Sequence, residues 1–255
     1  YWSWIDKKSE VANLLSKYRE ENELAFTWPL IKNCLEDCQA FITGNGVEIL
    51  PYHIPIRSFG SFANANQRIL MSATTQDDSF FIKGLGFDIN AIKNPLINTE
   101  QKWSGEKMIL IPSLIDDSLD RDLIVSTFAK PNTKLHFGRV AIVPSHRRSE
   151  QYYVLGSTIS GTKNIFTLIS DLKAGNIEKT LVIINRYDGI DLPDESCRLL
   201  IIDSMPYFNS LVDRYEEQCR VNSDIINIRL AQRIEQGLGR SVRGEKDYSV
   251  ILLIG

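Results

Sequence analysis

The sequence predicts a doubly wound α/β fold, a parallel sheet covered by helices on both faces. Two observations predict it. The second half of the chain alternates apolar runs with helical patterns: MILIPSL, RVAIVPS, TLVIINR, RLLIIDSMPY and YSVILLIG are separated by stretches of 3.6-residue period. The runs are also continuously apolar, as strands buried on both faces must be, whereas strands with one wet face alternate. Right-handed crossovers then wind the helices onto both sides.

The elements follow in chain order. A helix is expected over residues 1–22, where Ile5, Val11, Leu14, Leu15 and Tyr18 recur at spacings of three and four. Trp28-Pro29 opens a short helical stretch reaching Cys38. AFITG and VEILPYHI flank Asn45-Gly46, a two-residue hairpin signal, with Pro51 and Pro55 marking the second arm as an edge. A strand is expected at 67–71, ending in Ser72-Ala73-Thr74, where open α/β sheets place their ligands. Residues 86–107 are polar and aperiodic and read as a linker. Strands are then expected at 108–114, 139–145, 180–186, 198–207 and 248–255. Helices are expected near 118–129, from Arg147, at 164–174, at 208–220 and at 225–243.

Bulk properties narrow the function. A net charge of −3 spread over 255 residues gives no overall basic field, so any nucleic-acid contact must be a local groove. No apolar run approaches the roughly 20 residues needed to cross a membrane. Cys34 and Cys38 stand four apart, which is not a CxxC knuckle, and His53, His136 and His146 form no ligand spacing, so no metal site is expected. Two thiols packing one helix is the simpler reading. The chain opens on YWSWID without a methionine and stops at Gly255 directly after an apolar run, which predicts a piece of a longer protein.

AQRIEQGLGRSVRG, residues 231–244, carries the chemistry. On a helix, Ala231, Ile234, Leu238 and Val242 share one face, while Arg229, Gln232, Arg233, Gln236, Arg240 and Arg243 share the other. Gly237 and Gly239 cost about 2 kcal/mol of helix propensity against alanine, so a close approach should need them. The stripe reads equally as a phosphate reader or as a basic surface helix. Two upstream loops add weight to the first reading. Pro144-Ser145-His146-Arg147-Arg148 offers a hydroxyl, arginines and a helix N-terminus. In 185–193, NRYDGIDLP, Gly189 admits a ligand to the backbone, and Asp188 and Asp191 are placed to orient an arginine or a ribose hydroxyl. All three leave C-terminal strand ends and so share one rim of the sheet.

QGLGRSVRG resembles the QxxGRxxR motif of superfamily 2 helicases. NRYDGIDLPDESCRLLIIDSMPY resembles their preceding loop as it occurs in the branch that includes XPD and DinG. VAIVPSHRRSEQYY and RILMSATTQDDSFFIKGLG are similar to that branch's upstream blocks, and the four occur in the family's order over roughly residues 65–255. Asp188 stands where the branch has Glu, and Asp194 where it often has Gly. The resemblance implies an ATP-driven motor of two RecA-like domains, with ATP and Mg²⁺ in the cleft between them and a single strand across the top. It implies that 1–85 is the C-terminal part of the first RecA-like domain, 86–107 the linker and 108–255 the second. No GxxxxGK[ST] or DExH string occurs, so the phosphate loop, the Mg²⁺ ligands and any iron–sulfur cysteines would lie in an upstream motor domain of the same protein.

By carry-over, Arg243 would be the arginine finger, with Arg240 beside it and Gln236 positioning water. Gly189 and Asp191, with Arg240 and Arg243, would bind the nucleotide. Ser145, Arg147 and Asn185 would hold strand phosphates, and Ser72 and Thr74 would couple hydrolysis to closure. DNA is the favoured partner and no membrane is implied. The expected place is the cytoplasm or nucleoid. The alternative is a non-catalytic nucleic-acid-binding scaffold with a degenerate helicase fold.

Overall fold

The computed structural model describes residues 4–21, 24–71, 79–96, 105–187, 189–208, 210–220, 223–242 and 244–255. The chain divides into two compact units. One comprises Tyr1–Ile97 with Asn209–Val221, and the other Asn98–Phe208 with Asn222–Gly255.

In the first unit, a 3-10 turn leads into α1 (Lys8–Lys17), and α2 (Trp28–Ile31) starts with Pro29 in its first turn, where a missing N–H costs nothing. β1 (Cys38–Thr43) and β2 (Gly46–Pro51) form the antiparallel hairpin. Its register pairs Thr43 with Gly46, so Gly44 and Asn45 make the turn, one residue earlier than the Asn45-Gly46 signal suggests. Trp28, Leu35 and Cys38 form a small core. The two thiols do not share a helix: Cys34 precedes a 3-10 turn and Cys38 opens β1, its thiol pushed up to about 11 by burial and by Cys34. α3 (Gly60–Ala63) and α4 (Ile89–Lys93) follow, and Asp88 caps α4 inside the stretch read as linker.

The strand expected at 67–71 does not form. Ile69 and Met71 are 83% and 91% exposed. The only sheet of this unit among the described residues is the hairpin, so the apolar run has no ladder to join. Ser72 and Thr74 lie outside the described residues.

The second unit is a six-stranded, all-parallel sheet in the order β3-β8-β7-β4-β6-β5. Its strands are β3 (Glu106–Leu110), β4 (Arg139–Val143), β5 (Thr158–Ile159), β6 (Leu181–Ile184), β7 (Leu199–Asp203) and β8 (Tyr248–Ile254). Its helices are α5 (Pro112–Ile115), α6 (Arg121–Phe128), α7 (His146–Val154), α8 (Ile165–Lys173) and α10 (Asp224–Leu238). The remaining helix, α9 (Leu211–Cys219), groups with the first unit although the sequence reading ran the second domain unbroken to 255. β3 stops before Pro112, which begins a helical turn instead of extending the strand to 114.

Alternation along the strands feeds two cores. Ala141, Val143, Val182 and Ile201 face Ile124, Val125 and Tyr152 from α6 and α7. Val140, Ile142, Ile183, Leu200 and Ile202 face Ile165, Ile169 and Leu172 from α8, with Ile234 and Leu238 from α10. This is the RecA-like doubly wound architecture. β4 continues toward β5 while β7 returns toward β8, so the adjacent β4 and β7 mark the topological switch point, where such sheets bind ligands.

α10 ends at Leu238, with Gly239 as its C-cap, and does not run on to residue 243. Two glycines within three residues remove the propensity a further turn would need. Arg240 therefore leaves the helical stripe.

Candidate nucleotide and nucleic-acid interface

Ser145 follows β4 and caps α7, its hydroxyl accepting from the Arg148 amide at 3.4 Å. The cap holds Arg147 exposed at the rim. Beside it, Arg121, Arg147, Arg148 and Gln151 line a pocket of about 300 Å³. Arg121 is fully engaged there. Its Nε and Nη2 donate to the two carboxylate oxygens of Asp203 at 2.8 and 2.7 Å, and its Nη1 reaches Gln151 Oε1 at 2.6 Å. Asp203, the last residue of β7, has no exposed surface. This fork ties α6, β7 and α7 together beneath the rim. Sequence reasoning missed it because the partners are 82 residues apart. The one available signal was an acid at the end of the apolar run LLIID.

Asn185 follows β6 directly, in the left-handed region with φ 46°. Its N–H donates to the Val143 carbonyl at 2.7 Å, and its Nδ2 donates to the Tyr207 carbonyl at 3.1 Å. The amide nitrogen read as a phosphate contact is thus given to the chain after β7. Its Oδ1 is buried without a hydrogen-bond partner among the described residues. The same Tyr207 carbonyl accepts from Arg233 Nη1 at 2.9 Å, and the Arg233 guanidinium lies over the Phe208 ring at 4.8 Å. Arg233, read as part of the phosphate-facing stripe, instead holds the β7 exit against α10.

The loop after β6 turns at Gly189, whose φ of 68° suits glycine. Arg240 clamps this loop. Its Nε donates to the Tyr187 carbonyl at 2.8 Å and its Nη1 to the Ile190 carbonyl at 3.1 Å, while its own carbonyl accepts from the Leu192 amide at 3.1 Å. The guanidinium expected at a nucleotide therefore holds the Gly189 loop. Asp191 is exposed, and Gln236 is half-buried on α10.

Gly237 explains one of the two helix glycines. A Cβ there would lie 3.1 Å from Tyr187 Cδ1 and 3.2 Å from Ile202 Cδ1, so the glycine serves packing of α10 on the loop and β7, not approach of an anion. Burial, reinforced by Asp203, pushes the Tyr187 phenol above its ordinary value. Arg243 and Asp188 lie outside the described residues.

Residues 143–255 match the family model described as helicase C-terminal domain. That segment is similar to helicase C-terminal domains. No curated protein matches the chain. Among solved structures, one titled XPD helicase is 16% identical with a TM-score of 0.54, covering 86% of this chain and 44% of its own. A structure of S. tokodaii Xpd4 is 14% identical with a TM-score of 0.42, covering 97% of this chain and 66% of its own. The chain thus spans less than half of the first, and that likeness shows a shared fold. The matched segment holds Ser145, Arg147, Asn185, Gly189, Asp191, Gln236 and Arg240, all at the rim or on the elements that brace it. Among the described residues no three His, Cys, Asp or Glu side chains gather to hold a metal ion, and no helix is long and apolar enough to cross a membrane.

Proposed function

We propose that this chain is the second motor portion of an XPD-like, ATP-driven nucleic-acid helicase. The observation that carries the reading is the helicase C-terminal domain match over 143–255, laid on a parallel sheet with its switch point between β4 and β7. Ser145, the α7 N-terminus and Arg147 take phosphates of a single strand, DNA in preference. Gly189 and Asp191, held by Arg240, flank the nucleotide. Arg243 supplies the finger that neutralises charge developing on the transferred phosphoryl group, and Gln236 positions it or the attacking water. An arginine finger is worth about 10³–10⁵ in rate in GTPases. An upstream domain presents the phosphate loop. The Mg²⁺ ligands would lie mostly in that upstream domain, so no step here runs through the metal. Ser72 and Thr74 couple closure to hydrolysis.

Closure then works as a gate. Nucleotide bridges the two motor domains only when the arginines reach across, and release reopens the cleft. Stepping follows if the strand contacts differ between the two states.

The test is binding of the full-length protein to a single-stranded oligonucleotide over a range of salt. Removing one phosphate contact by Arg147→Ala should lower affinity and flatten the log–log salt slope by about 0.7. An unchanged slope would count against the strand assignment.

A further inference from the structure

α8 turns Ile165, Ile169 and Leu172 onto the sheet, and its outward side should be polar. Phe166 breaks that pattern, with its side 62% exposed in the first turn of the helix. The Arg186 guanidinium lies over this ring, its Cζ 5.3 Å from the centroid. Both residues are set by fixed backbone. Gly161 N–H donates to Asn164 Oδ1 at 2.6 Å in the turn that leads into α8. Arg186 follows Asn185 directly, and its Nη2 lies 3.7 Å from where a Cβ on Gly189 would stand.

The sheet order says where this pair sits. β4, β6 and β5 are consecutive neighbours, about 4.8 Å apart, with parallel direction. Along the C-terminal rim the chain therefore presents Ser145 and Arg147 after β4, Asn185 and Arg186 after β6, and Phe166 after β5. A phosphate-binding corner is followed by a flat aromatic and a flat cation. Every nucleobase has a π-face that stacks on such groups without regard to sequence.

We propose that Phe166 and Arg186 form a stacking platform for a nucleobase of the bound single strand. The inference rests on the strand-binding reading above and extends it from phosphate to base. Stacking releases no counterions, so the platform contributes affinity that salt does not erode as it erodes the Arg147 contact.

The experiment uses the full-length protein, fluorescent single-stranded oligonucleotides, and Phe166→Leu and Phe166→Trp. Leucine keeps apolar bulk at an exposed site and removes the π-face, and thermal melts of each variant verify the fold. Phe166→Leu should weaken binding roughly five- to a hundredfold with the salt slope unchanged, whereas Phe166→Trp should bind at least as well as wild type. Abasic substitutions in the oligonucleotide should weaken wild type at one position and leave Phe166→Leu unaffected there. Wild-type affinity in Phe166→Leu would overturn the platform. So would a loss of ATP affinity with strand affinity intact, which would give the ring to the adenine. A wild-type protein that fails to bind single strands would refute the strand reading and this inference together.

Discussion

Arg240 Nε donates to the main-chain carbonyl of Tyr187 at 2.8 Å, and Gly237, one turn before Arg240, packs against the Tyr187 ring. The end of α10 and the Gly189 loop are therefore one rigid piece. Two motifs, GIDLP and QGLGR, are joined through backbone carbonyls that any sequence would supply, with the arginine as the specific partner. A hydrogen bond from a charged donor is worth about 1.5–3 kcal/mol.

Arg240→Ala should cost about 2–4 kcal/mol of stability, since two such bonds are lost and two carbonyls are left without the guanidinium. Arg240→Lys should recover less than half, because an ammonium has no planar fork to span both carbonyls. Urea denaturation of the variants measures both. A fully stable Arg240→Ala would mean the loop holds its shape without the clamp.

The two glycines of the helix end should behave oppositely. Gly237→Val pushes a branched side chain into Tyr187 and Ile202 and should destabilise by about 1–3 kcal/mol. Gly239 has ordinary contacts at 3.5 Å and a helical φ of −77°, so Gly239→Ala should be neutral or stabilising by up to about 1 kcal/mol. Paired melting curves decide it, and equal losses at both positions would remove the packing account of Gly237.

Asp203→Asn leaves the Arg121 guanidinium, 14% exposed, without its buried counter-charge and with only the exposed Asp122 beside it. Breaking such a pair from one side costs about 3–5 kcal/mol. The double change Arg121→Met with Asp203→Leu should cost less than the single one, because neither charge is then stranded. A double variant worse than Asp203→Asn would show that the pair contributes more than charge compensation.

Tyr187 links stability to alkaline pH. Its phenol is raised above the ordinary value near 10, so above about pH 10 the unfolded chain sheds this proton while the folded chain keeps it. The folded state then binds more protons, and stability falls as pH rises. Tyr187→Phe should flatten part of that fall. At pH 7 it should leave stability unchanged or higher, since the buried hydroxyl has no hydrogen-bond partner among the described residues. Chemical denaturation at pH 7 and at pH 10.5–11.5 gives the comparison.

How far the sequence could be read depends on which force sets each feature. The parallel sheet of the second unit was legible because continuous apolar runs such as VAIV and LLII have one stable use, burial on both faces. The strand ends were less so. Ser204 leaves β7 at φ 67°, and its N–H is taken by the Ile254 carbonyl at 2.6 Å, so the strand stops well short of residue 207. Nothing local in SMPY announces that partner. The run at 67–71 failed for the converse reason: apolar character alone makes no strand without a neighbour to pair with.

At the rim, residue types were legible and their partners within the fold were not. Arg240 and Asn185 looked like ligand contacts because their side chains donate. The structure gives those donors to Tyr187, Ile190 and Tyr207 carbonyls, partners 22 to 53 residues away in the chain. The Arg121–Asp203 fork and the Arg186–Phe166 stack were invisible for the same reason, being pairs across the topology with no fixed spacing.

The most direct test of the central claim is ATP turnover by the full-length protein with and without single-stranded nucleic acid, compared with Arg243→Ala. The account predicts strand-stimulated turnover in the wild type, and a loss of about 10³-fold or more in the variant with strand affinity retained. Turnover unchanged by Arg243→Ala, or a wild type with no ATP hydrolysis at all, would contradict it.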